Sequence, residues 1–179
     1  MGERSHDRSE TAEWERLLDA WRPLPAVLFD RHLDVLAATD VAPRLSEAFS
    51  VGENLARFAF LSPKRQFEHP RWRSAASATV ALLRGFVDEH DEDRASRRLL
   101  GELATASRDF SEMWADPETR TRMTGPIVFE GTAVGTVACT YNILGMSGQD
   151  ECALLVFVPA DESGRAAIAR LESSSSVSG

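Results

Sequence analysis

The sequence predicts an α+β domain, an antiparallel sheet of about five strands split by a helical insertion of about seventy residues that packs on one face. Three observations lead there. Two short apolar runs flank a polar trio near residue 30, residues 40–116 carry apolar side chains at helical spacing, and strand-like alternation returns after residue 122. The chain has 179 residues, 43% hydrophobic and 27% charged, enough for one globular core.

The elements follow in order. Thr11 opens the first helix, in which Trp14, Leu17, Leu18 and Trp21 share one face before Pro23 and Pro25 end it. Residues 26–29 and 33–37 flank Asp30-Arg31-His32 as an opening β-hairpin. Pro70 suits the start of a helix striped by Trp72, Ala76, Thr79, Leu83 and Phe86. A second stripe runs through Leu99, Leu103, Ala106, Phe110 and Met113, with Ser107 as the N-cap of a separate short helix that ends near Trp114, and Pro117 stops it. Ile127-Val128-Phe129 reads as a strand joined through Glu130-Gly131-Thr132 to the next. There Val137, Cys139, Tyr141 and Ile143 lie on one face and Thr136, Ala138, Thr140 and Asn142 on the other. Residues 152–158 are apolar on both faces and belong in the middle of the sheet. If residues 145–150 form the connection, a symmetric register pairs Ile143 with Cys152, Tyr141 with Leu154 and Cys139 with Val156, which leaves the two thiols unpaired. Asp161 and Glu162 open a closing helix through Ile168 and Leu171. The expected organisation is a disordered start over residues 1–10, one domain over 11–172 and a disordered serine-rich tail over 173–179.

Composition narrows the function. The formal charge of -8 disfavours direct nucleic-acid binding, and negligible binding of duplex DNA is expected. No run of 18 apolar residues or secretory leader is present, so no membrane association and a cytoplasmic location are expected. Cys139 and Cys152 are too few for a multi-cysteine zinc site. His6, His32, His69 and His90 are scattered, and residues 88–93 form an acidic run without the spacing of a calcium loop. The sequence lacks the phosphate-loop, zinc-protease and nucleophile-elbow motifs, so neither an enzyme nor a cofactor or metal site is expected. Residues 48–57 have the small-residue turn of a helix-turn-helix, but Arg57 leads into Phe58, Phe60 and Leu61, which read as core.

From Asn54-Leu55-Ala56-Arg57-Phe58 to Ser62-Pro63 the chain resembles the MmyB-like transcription regulator ligand-binding domain, a PAS-like module of actinobacterial regulators. Leu33-Asp34-Val35-Leu36-Ala37-Ala38-Thr39 matches a family strand in its core but lacks two aromatics and an Asn of that strand, and further matches are Pro70 with Trp72, Ser107 with Phe110 and Trp114, Arg122 through Gly125, and Val134-Gly135 leading to Tyr141 and Leu144. The resemblance spans roughly residues 17–159 and implies a PAS-like fold with fatty acids as the ligand class. Trp114-Ala115-Asp116-Pro117-Glu118 and Thr140-Tyr141-Asn142 lack a histidine and two acids of the family pattern, and where those positions face the pocket the resemblance implies a different polar end for this ligand. The family's usual XRE-type helix-turn-helix is not in the sequence, so the chain reads either as part of a longer regulator or as a solitary sensor with a partner DNA-binding protein.

Taken together, these features predict a sensor for a small apolar ligand, a long-chain acyl group, held between the C-terminal strands and the Trp72 and Trp114 helices. Its candidate site residues are Phe58, Trp72, Phe110, Trp114, Val137 and Cys139 for the chain, with Arg57, Arg122 and Tyr141 as donors for the polar end. The alternative is a protein-interaction or homodimerisation module, with Trp14 and Trp21 facing a second subunit.

Overall fold

The computed structural model describes residues 13–62, 72–89, 93–119, 122–146 and 152–173. In chain order these form α1 (13–19), β1 (Ala26–Phe29), β2 (Val35–Ala38), α2 (Ala42–Leu45), a 3-10 turn (Glu47–Phe49), α3 (Leu55–Leu61), α4 (Trp72–Glu89), α5 (Arg94–Ala106), α6 (Arg108–Ala115), β3 (Thr124–Thr132), β4 (Gly135–Gly145), β5 (Ala153–Pro159) and α7 (Glu162–Ser173). The strands make one antiparallel sheet in the order β2-β1-β5-β4-β3, with α2 to α6 inserted in sequence between β2 and β3, so the fold is α+β. Among the described residues no helix is long and apolar enough to cross a membrane. The expectations for Pro70, His6, His69, His90, the centre of the acidic run, residues 147–150 and both chain ends lie outside the described residues.

Two compact units emerge. Residues 1–30, 35–52 and 123–179 contain the sheet, and residues 31–34 and 53–122 contain α3 to α6.

In the sheet unit β5 is the central strand, as its two apolar faces demand. Val137, Cys139 and Ile143 are buried and Tyr141 half-buried on one face of β4, as the alternation predicts. Phe129 pairs with Val137, and Phe157 with Tyr141, so both share that face. Phe129, Phe157 and Phe49 form an aromatic triad there, with centroids 5.0–5.9 Å apart. The other face carries Ala26, Leu28, Leu154 and Val156, on which Leu18 packs with Trp14, Leu17 and Trp21. The two tryptophans expected at a subunit interface thus cover their own sheet. Asp161 accepts from the Gly164 amide at 2.7 Å and caps α7, the closing helix anticipated from its acids.

Three local expectations are corrected. The β2 strand starts at Val35 rather than 33, because Leu33 takes a positive φ of 67° and leaves the extended region. Glu130, Gly131 and Thr132 are part of β3; the strand bulges there and the hairpin closes between Thr132 and Gly135, both Gly131 (φ 73°) and Gly135 (φ 93°) being left-handed. The β4–β5 register is displaced by three residues: Ile143 faces Leu155, Tyr141 faces Phe157 and Cys139 faces Pro159. A strand apolar on both faces does not discriminate between registers by burial, so nothing locks the symmetric register.

The displacement moves the sulfurs further apart, Cys152 lying at the opposite end of β5 from Pro159, and both cysteines are buried and outside any disulfide. Burial pushes the Cys139 thiol up to about 11, and the Asp161 carboxylate adds to the effect. Native protein at pH 8 should therefore leave Cys139 unreactive toward a thiol reagent, while denatured protein titrates both cysteines without reductant. Rapid native labelling of Cys139, or a mapped Cys139–Cys152 peptide, would contradict this packing.

In the helical unit α4 buries Ala76, Val80 and Leu83. Leu99, Leu103, Phe110 and Met113 are buried on α5 and α6, while Ala106, the fifth member of that stripe, is exposed. Ser107 caps α6 by accepting from the Phe110 amide at 3.2 Å, the break read from the sequence. The segment considered as a helix-turn-helix has only a 3-10 turn before α3, and α3 buries Leu55, Ala56 and Phe60.

Candidate functional site

The helical unit has a cleft of about 400 Å³ where the 31–34 turn, the start of α3 and the start of α5 meet. Its frame is a set of short polar contacts. Asn54 caps α3 by accepting from the Arg57 amide at 2.9 Å, and its Nδ2 donates to the His32 carbonyl at 2.8 Å and to Asp34 Oδ1 at 2.7 Å. An Asn side chain can do both because it carries donor and acceptor together, which gives physical content to the Asn that opens the Asn54-Leu55-Ala56-Arg57 motif. Asp93 caps α5 through the Ala95 amide at 2.9 Å and the Ser96 hydroxyl at 3.1 Å, and it meets His32 Nε2 at 2.6 Å and Arg31 Nε at 3.2 Å. The turn is thereby fastened to two helix N-termini.

These contacts hold the Asp93 carboxyl well below the usual carboxylate range, the hydrogen bond from His32 first and that from the Ala95 amide second. A carboxyl whose folded pKa is depressed stabilises the fold fully above its unfolded value and loses that contribution as pH falls through the folded value. Wild-type protein should therefore resist acid unfolding below pH ~4 better than His32→Ala, the two curves converging at the acid extreme. Parallel pH–stability curves across that range would show that the His32–Asp93 contact has no such role.

Arg57, Arg94 and Arg98 line the cleft together with His32, Asp34, Asn54 and Leu99. The Arg57 guanidinium is held by Glu102 through three hydrogen bonds of 2.8–3.1 Å, which lower the Glu102 pKa and raise that of Arg57. The side chains of Arg94 and Arg98, absent from the residues picked out by sequence, make no hydrogen bond or ion pair among the described residues.

The other sequence candidates fall into two groups. In the helical unit Trp72, Phe110 and Trp114 come together with Phe60: Phe60 meets Trp72 at 5.9 Å and Phe110 at 5.1 Å edge to face, and Phe110 stacks on Trp114 at 5.7 Å. The Trp72 indole donates to the Ala59 carbonyl at 2.8 Å. Phe58 is half-buried and Arg122 exposed. In the sheet unit Val137, Cys139 and Tyr141 share the buried face already described, and the Tyr141 ring lies over Gly125, where a Cβ would stand 3.0 Å from the ring. Gly125 is thus matched to Tyr141 across the β3–β4 pair, a link that two family-like motifs far apart in sequence had left unstated.

The model of the MmyB-like transcription regulator ligand binding domain family matches residues 11–171. No curated protein matches the chain.

Proposed function

Because the chain belongs to the family of MmyB-like transcription regulator ligand binding domains, we propose that it senses a long-chain acyl acid in the cytoplasm, neither catalysing a reaction nor reading DNA itself. The ligand-binding role comes with the family; the acyl class is our reading, as is a PAS-like identity for the sheet, which its β2-β1-β5-β4-β3 order supports.

One observation carries the acyl reading. Tyr141, whose ring and hydroxyl lie over Gly125 of β3, brings a phenolic hydroxyl with no hydrogen bond among the described residues to the border of an otherwise apolar strip of Val137, Cys139, Ile143, Leu155 and Phe157. A half-buried hydroxyl beside such a strip suits a ligand with one polar end and a long apolar body. Each methylene withdrawn from water contributes about 0.8 kcal/mol before ordering and association costs.

Native mass spectrometry of the purified protein should show a retained lipid mass. A second reading, a homodimerisation module, is favoured by Leu144 and Val158, 41% and 40% exposed on the opposite face of the sheet. A lipid-free dimer would favour that reading and count against the acyl sensor.

A further inference from the structure

We propose that the cleft of the helical unit binds a small hydroxylated oxyanion of the phosphomonoester class, independently of any acyl ligand. The charge of the lining motivates this. In a chain of formal charge -8, the cleft is lined by Arg57, Arg94 and Arg98 and by one carboxylate, Asp34; Glu102 and Asp93, outside the lining, pair with Arg57 and His32, which leaves Arg94 and Arg98 as the cationic wall. Arg94 and Arg98 stand one turn apart on α5, so both guanidinium groups project along one helix face. Neither side chain has an acidic partner among the described residues.

Arg57 adds a fixed donor. Glu102 engages its Nε and Nη2, and Nη1 takes no part in those bonds. Asn54 holds Asp34 through its Nδ2, so the one lining carboxylate is braced as well. Guanidinium forks match the oxygens of a phosphate, and a dianion answers two adjacent arginines better than a single carboxylate does. Asp34 in the wall offers an acceptor that suits a hydroxylated ligand body, whereas an acyl chain would meet only Leu99 and Ala95 as apolar lining. A volume of about 400 Å³ fits a metabolite of sugar-phosphate size.

The test is titration of the whole chain with inorganic phosphate and with glycerol 3-phosphate, followed by calorimetry and amide chemical shifts, with acetate and chloride at matched ionic strength as controls. Saturable binding is expected, with shifts concentrated at Asn54 and residues 93–99. Arg94→Ala and Arg98→Ala should each weaken it on the order of tenfold. Arg73→Ala, which removes the same charge from an exposed position on α4, should leave it within about twofold. A conservative Arg98→Lys variant should keep the charge yet lose part of the affinity, because an ammonium lacks the planar fork. Equal responses to phosphate and chloride, or equal losses in the Arg73 and Arg98 variants, would reduce the cleft to general surface charge and overturn the proposal. Binding of acetate as tight as phosphate would overturn the phosphomonoester class.

Discussion

Phe110→Ala is expected to destabilise the helical unit by about 3–5 kcal/mol, the range for removing a fully buried aromatic ring. Phe110 is 1% exposed, and its ring is the hub between Phe60 at 5.1 Å and Trp114 at 5.7 Å. Truncation removes the apolar surface and both ring contacts, and neighbours fixed on α3 and α6 cannot close the void fully. Urea denaturation would measure the loss, and Phe110→Leu should recover part of it. A cost below about 1 kcal/mol for the alanine variant would mean that the cluster is loosely packed.

Arg84→Met is the second large effect, expected at about 2–3 kcal/mol. Arg84 reaches from α4 to the end of α6, donating to the Asp116 carbonyl at 3.2 Å, the Thr119 carbonyl at 2.7 Å and the Trp114 carbonyl, while its guanidinium carbon lies 5.1 Å from the Trp114 ring centre. The last carbonyls of a helix have no partner within it, and this one side chain supplies a donor to Trp114 and to the C-cap Asp116, and another to Thr119 beyond the helix. Methionine keeps much of the aliphatic stem and removes every donor, so the loss reports the hydrogen bonds and the cation–π contact rather than packing. Arg84→Lys should restore only a fraction, since an ammonium cannot span three acceptors in one plane. Full rescue by lysine would assign the effect to charge alone.

Local signals in the sequence were reliable where a residue type had one physical use. Ser107 could begin α6 because its hydroxyl replaces a missing backbone acceptor, and residues 152–158 could only be a central strand because both faces were apolar. The same two-faced character hid the register of β5, and the positive φ of Leu33 left no trace in a run that otherwise read as strand. The cleft was illegible for another reason. Arg94 and Arg98 looked like the solvated face of an amphipathic helix, and nothing local announces that Asn54, the 31–34 turn and the α5 N-terminus converge. Arg57 was identified as a donor for the ligand, but its engagement with Glu102 depends on a pairing across 45 residues.

Calorimetric titration with palmitate, comparing wild type with Cys139→Trp, tests the acyl-sensing account most directly. Cys139 is 1% exposed at the middle of the apolar strip on β4. An indole there should fill the space an acyl chain would use, at a folding cost of about 1–3 kcal/mol. The account predicts saturable binding to wild type with a negative heat-capacity change. It predicts no detectable binding to the variant, with far-UV circular dichroism confirming that the variant is folded. Absence of acyl binding in wild type, or equal affinity in a folded Cys139→Trp, would contradict it.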